Sequence, residues 1–155
     1  MAEPYKPRGM YFEEYNDGLE IVTQGRTITE TDIVNFAGIS GDYNAIHTDA
    51  EFAKTGMFGE RIAHGLLGLS VASGLGMQLG FLDGTVIAFM GLEWKFKAPI
   101  KIGDTIHMTA KVKQTKAMAK LGGGFVILEA KILNQRDQVT QQGEWTLLIK
   151  SKPAV

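Results

Sequence analysis

Asp42, Asn44 and His47 fall within the short stretch "SGDYNAIH", Ser40 to His47. A carboxylate and an imidazole brought into one small volume suit work on water. One group accepts a proton from it while the other, protonated, delivers a proton to carbon or to a leaving hydroxyl. Gly41 supplies a bend that could close the pair. The same residues also suit a plain turn, in which Asp42 would only cap or hydrogen-bond the backbone. A second constellation is Arg61-Ile62-Ala63-His64-Gly65, at the head of a long apolar run. A helix start offers free amide donors and the positive end of the helix dipole to an oxygen that gains negative charge. Gly65 would let a ligand approach the backbone closely. His64 reads first as a helix-start or core histidine that hydrogen-bonds the loop, because neither a metal-ligand set nor a nucleophile accompanies it.

The elements that must position these groups follow from the pattern around them. Thr29-Glu30-Thr31-Asp32 is a variant capping box, followed by Ile33, Phe36 and Ala37 at helical spacing, which places a short amphipathic helix within residues 26–38. Thr48-Asp49-Ala50-Glu51 repeats the device before Phe52 and Ala53, so "SGDYNAIH" is expected in a loop between two capped helices. From Ile62 to Leu82 no acidic, lysine or arginine residue occurs, and a run of about 18 apolar residues can span a bilayer. Gly76 and Gly80 even match the small-residue pattern of membrane helix pairs. His64, Ser70, Ser73 and Gln78 interrupt the run, and it lacks aromatic belts or a basic flank. A buried central helix over residues 62–80 is therefore expected, enclosed on all its faces.

Beyond Asp83-Gly84 the period changes to two. Leu92, Trp94 and Phe96 alternate with Glu93, Lys95 and Lys97, and Ile106, Met108, Ala110 and Val112 alternate with His107, Thr109, Lys111 and Lys113. Two further strands run from Phe125 to Leu133 and from Val139 to Ile149, with breaks at Pro99 to Asp104, Gly122 to Gly124 and Asn134 to Gln138. With Leu19 to Val22 they make an antiparallel sheet with one wet face and one dry face, which the long helix covers. The fold class is α+β.

Composition narrows the function. A length of 155 residues suits one domain, 1–155, with residues 1–17 as an N-terminal extension. Acidic and basic residues number 17 and 16, and no dense basic patch tracks a phosphate backbone, so nucleic acid is not an expected partner. The chain has no cysteine, which excludes disulfides, thiolate nucleophiles and thiolate metal sites. Nothing at the amino terminus reads as a leader, and the cytoplasm is the expected compartment, without a membrane partner. Met57, Met77, Met90 and Met108 read as gap-filling core, and His107 as a solvated strand histidine. Gly122-Gly123-Gly124 reads as a flexible hairpin turn, since no phosphate-loop context follows. Lys95, Lys97 and Lys101 fit either an anionic ligand or a solvated sheet face.

Taken together, "SGDYNAIHTDAEFA" and "FGERIAHGLLGLSVASGL", with "FKAPIKIGDTI" on a later strand, resemble the MaoC-like, or (R)-specific, enoyl-CoA hydratase family. The likeness runs from about Tyr11 to the carboxy terminus. It implies a hot-dog fold, a long helix wrapped by an antiparallel sheet, assembled as a homodimer or higher oligomer with active sites near the interface. It also implies that Asp42 and His47 are catalytic and that the Gly65 amide polarises a thioester. Asn44 and Ser73 become supporting residues, beside His64. Two departures stand out: Ala45 replaces the usual Pro, which could loosen the loop, and Arg61 stands where Pro often precedes Ile62. The activity implied is a hydro-lyase that interconverts trans-2-enoyl-CoA and (R)-3-hydroxyacyl-CoA, with the coenzyme A thioester as substrate and neither cofactor nor metal. The rival readings are a hot-dog acyl-CoA thioesterase and a non-catalytic acyl-thioester binding module. Met77, Leu79, Phe81, Phe89 and Met90 are the candidate pocket walls.

Overall fold

A computed structural model describes residues 8–153; residues 1–7 of the expected N-terminal extension lie outside the described range. In chain order the elements are β1 (Glu20–Val22), β2 (Arg26–Thr27), α1 (Glu30–Ser40), α2 (Ala45–Thr48), α3 (Ala50–Thr55), α4 (Gly65–Gln78), β3 (Val86–Phe96), β4 (Thr105–Met118), β5 (Gly123–Leu133) and β6 (Val139–Lys150). The strands form one antiparallel sheet in the order β1-β4-β5-β6-β3, with β2 paired on β4. Helix α4 lies across it, burying Leu67, Val71, Ala72 and Leu75 in a core shared with Ile106, Met108, Leu128 and Leu147. Each large aliphatic side chain so enclosed contributes roughly 1.5–3 kcal/mol relative to exposure.

Glycines set how closely helix and sheet approach. A Cβ on Gly68 would lie 2.5 Å from the Gln141 amide nitrogen and 2.6 Å from the Ile100 side chain, and one on Gly76 would lie 3.0 Å from Met108. The apolar run is thus a 14-residue helix that uses its small residues for contact with a sheet. Among the described residues no helix is long and apolar enough to cross a membrane.

Several local expectations change. Helix α4 is enclosed on one face only: Leu66 and Met77 are exposed, because a single sheet covers a single side. Strand β3 starts at Val86, earlier than its alternating pattern, and as an edge strand it leaves Ile87, Phe89, Met90, Leu92 and Phe96 largely exposed. Of the four methionines read as core, only Met108 is buried, while Met57 is 90% exposed. At Gly122 the chain does turn, at φ 70°, but Gly123 and Gly124 belong to β5. They are small because the Ile149 carbonyl and the Phe12 ring occupy the space a Cβ would need.

Candidate active site

The loop "SGDYNAIH" is built from side chains that hold its own backbone. Helix α1 starts at the expected box, with Thr29 and Asp32 capping each other's amides. It ends at Gly41, whose φ of 74° is a left-handed conformation that glycine adopts without strain. Ser40 Oγ accepts the Asp42 N–H, Asp42 Oδ1 accepts the Asn44 N–H at 3.1 Å, and Asn44 Oδ1 caps a further turn of helix through the Ile46 N–H. That turn, α2, breaks the expected continuous loop and carries His47. The box placed at Thr48 to Glu51 shifts by one residue, since Asp49 caps α3 through the Glu51 and Phe52 amides. The Thr48 hydroxyl instead donates to the Tyr43 and Asn44 carbonyls. Ala45 takes the first helical position of α2, where a proline would also fit.

The second half is held by backbone. Ile62 N–H donates to the Ile46 carbonyl, Ala63 N–H to the Ile100 carbonyl, and Ile62 pairs with Lys101 as an isolated bridge. Arg61, in the place of the family's proline, reaches Glu30 at 2.6 Å and ties this segment to the start of α1. Gly65 is the first residue of α4, so its N–H is one of the donors that a helix leaves without an internal partner. The Phe96 ring fills the space beside it: a Cβ on residue 65 would lie 2.6 Å from that ring.

The two halves meet at a pair of imidazoles. His47 and His64, both buried, stack with ring centroids 3.9 Å apart. His47 Nδ1 lies 2.8 Å from the Ile62 carbonyl, and His64 Nε2 lies 2.9 Å from the Asp42 main-chain carbonyl. A carbonyl can only accept, so each of these nitrogens carries the proton, and in the neutral ring the other nitrogen keeps its lone pair. For His47 that free nitrogen is Nε2. Burial pushes the His47 pKa below its ordinary value of 6.5, with the neighbouring His64 adding to the shift, while the Ile62 carbonyl and the Asp42 charge oppose it. The ring is therefore neutral and basic at neutral pH.

Asp42, His47 and His64 each offer a ligand-type atom within 4.8 Å of the others, and they are the residues that could hold a cation. One nitrogen of each ring is committed to a carbonyl, which leaves one nitrogen per ring for a proton or a cation.

His47 and Gly65 share the wall of an open cavity of about 720 Å³, lined also by Ile46, Phe58, Leu66, Phe96 and Ile100. Asp42 is exposed and does not itself line the cavity; it reaches it through His47, with an atom of each within 4.8 Å of the other. Asn44 shapes the loop and does not touch the imidazoles' nitrogens. Ser73 lies two turns along α4, where its hydroxyl donates to the Ser70 carbonyl, and it is not brought to the cluster within one chain. The expected pocket walls also fall elsewhere: Phe81 is core, and Met77, Leu79, Phe89 and Met90 lie on exposed faces. Spacing along the sequence could not find Phe58 or Gln141, which reach the cavity from α3's exit and from β6.

This fold has many counterparts. A chain from Mycobacterium tuberculosis described as having a double hot-dog fold aligns over 95% of this chain and 46% of its own, with a TM-score of 0.80 at 20% identity. The fold is accordingly a hot-dog. The model of the MaoC-like domain matches residues 17–127, and the chain belongs to that family. Protein MaoC of Klebsiella aerogenes is 44% identical over 113 residues, 71% of this chain but only 33% of that protein, so the chain spans about a third of that relative. An (R)-specific enoyl-CoA hydratase of Rhodospirillum rubrum is 40% identical over 103 residues, covering 66% of this chain and 69% of that one. Among solved structures, an Archaeoglobus protein called a monoamine oxidase regulatory protein superposes with a TM-score of 0.87 at 37% identity, covering 94% and 97% of the two chains.

Proposed function

We propose that the chain is an enoyl-thioester hydratase/dehydratase acting on trans-2-enoyl-CoA and (R)-3-hydroxyacyl-CoA. The observation that carries this reading is the fixed tautomer of His47: its Nδ1–H is spent on the Ile62 carbonyl, leaving Nε2 with its lone pair on a residue that lines the same cavity as Gly65 and has a ring nitrogen within 4.8 Å of an Asp42 carboxylate oxygen. Relatives named (R)-specific enoyl-CoA hydratase and 3-hydroxybutyryl-CoA dehydratase support it.

In the hydration direction the thioester oxygen accepts a hydrogen bond from the Gly65 N–H, at the positive end of the α4 dipole. Electron density drawn to that oxygen leaves C3 electrophilic. Water placed between Asp42 and His47 loses one proton to the pair as its oxygen bonds to C3. The C2=C3 π electrons pass into the enolate, and the pair returns a proton to C2. The two groups titrate as a unit, and the step draws on no group beyond the chain, the substrate and water. The exposed apolar edge at β3 and the open face of α4 fit burial against a second copy, so a homo-oligomer in the cytoplasm accompanies the reading.

Purified protein should bleach the enoyl-thioester absorbance of one or more short, medium, branched or aromatic enoyl-CoAs and yield the (R)-3-hydroxyacyl-CoA. Release of free thiol from acyl-CoA would assign a thioesterase instead. Binding of acyl-CoA without turnover would assign a binding module.

A further inference from the structure

Gln141 is a buried polar residue that the proposed mechanism leaves unused. It sits on β6 opposite Phe96, is 2% exposed, and lines the same cavity as His47 and Gly65. Its carboxamide nitrogen donates to the Gly65 carbonyl at 3.0 Å, and its oxygen accepts the Trp94 indole N–H at 2.8 Å. A buried carboxamide is costly unless it is satisfied, and the surrounding sequence makes room for this one from two sides. Gly68 leaves the space that the Gln141 nitrogen occupies, since a Cβ there would lie 2.5 Å from it. Gly143 leaves space for the paired strand's Glu93 carbonyl, which a Cβ would meet at 1.9 Å, and for the Trp94 ring, which it would meet at 2.7 Å.

We infer that Gln141 is a positioning residue that locks the Gly65 backbone so that its N–H stays aimed into the cavity. Glycine has the greatest backbone freedom of any residue, and the first turn of a helix has the fewest internal bonds to restrain it. The Gln141 amide restrains Gly65 from the carbonyl side, the Phe96 ring packs on its α-carbon, and the Trp94 indole keeps the amide from rotating away. Gln141 acts through Gly65 and does not itself take or give a proton. The inference rests on the reading of Gly65 N–H as the thioester's partner.

Gln141→Met keeps the length of the side chain and removes both hydrogen bonds. Two readouts apply: kcat and KM on crotonyl-CoA, and the carbonyl stretching band of bound butanoyl-CoA labelled with ¹³C at the thioester carbon. In the parent protein that band should sit below its position in water, because the hydrogen-bonded carbonyl is polarised. Gln141→Met should lower kcat about tenfold to a hundredfold, as displacement of a reacting geometry by a fraction of an ångström does, leave KM near the parent value, and return the band toward its position in water. Trp94→Phe, which removes only the indole N–H, should move both readouts in the same direction by less and serves if Gln141→Met does not fold. A shifted band in the parent that both variants leave unmoved, with kcat unchanged, would overturn the role of Gln141 alone. An unshifted band in an active parent would overturn the Gly65 reading itself.

Discussion

Between Ser40 and His47 the chain is held by side chains, and between Ile62 and Gly68 it is held by backbone bonds and by missing side chains. In the first region Ser40, Asp42 and Asn44 each take a main-chain amide. In the second, Ile62 and Ala63 are stitched to Ile46 and Ile100, and Gly65 and Gly68 leave space for Phe96 and Gln141. Under the proposed mechanism the two regions contribute different chemistry for the same reason. Groups that exchange protons have to be side chains, whereas an oxygen that only gains charge is served by an amide fixed in place. Substitutions should therefore act by side-chain chemistry in the first region and by backbone position in the second.

The largest effects should fall on the first region. Asp42→Asn and His47→Gln keep size and some hydrogen bonding but remove proton transfer, and each should lower the hydration rate by about a hundredfold to ten-thousandfold while thermal unfolding stays near that of the parent. A bland turn would tolerate Asp42→Asn, since the Asn44 N–H needs only an acceptor.

Next comes the second region, where two variants separate the amide from the space around it. Gly65→Ala and Gly65→Pro both push on the Phe96 ring, but only proline removes the N–H. The proline variant should be slower than the alanine variant by about a hundredfold to a thousandfold, the range for loss of one such donor. Equal rates would show that shape at residue 65 matters and its amide does not.

The sign of the pH dependence follows from His47. Its folded-state pKa is depressed below 6.5, so the basic form survives as pH falls through 6.5, and the acid limb of kcat/KM should have its midpoint below that value. The unfolded chain takes up this proton first, so stability should decline as pH falls below 6.5 toward the lower folded value. His47→Gln should flatten that decline in melting temperature.

The architecture was legible where patterns were long. Strands β4 to β6 and the capping box at Thr29 followed from period and composition. The proximity of Asp42 and His47 was legible because they stand close in sequence and the Asn44-capped turn α2 brings an atom of each within 4.8 Å. Contacts that depend on the sheet were not: Gln141 lies 76 residues from the carbonyl it binds, and no local spacing announces it. The pocket walls failed for the same reason. Apolar residues on β3 and at the end of α4 look like lining in sequence, but an edge strand and an uncovered helix face leave them outside the cavity.

The smallest effect concerns Ala45. It holds the first helical position of α2, and the preceding Asn44, at φ −54° and ψ 136°, already has the conformation that a following proline demands. Ala45→Pro should raise stability by about 0.4–1 kcal/mol through the unfolded chain and leave turnover unchanged. A lowered melting temperature would mean that α2 needs the Ala45 amide.

The central claim is that Asp42 and His47 act as one unit on one water, and the double variant Asp42→Asn/His47→Gln tests it most directly. On the enoyl-CoA that the parent hydrates best, the double variant should be little slower than the slower single one, because either change alone already breaks the unit. Losses that multiply would contradict the account, since they would mean that the two residues contribute independently.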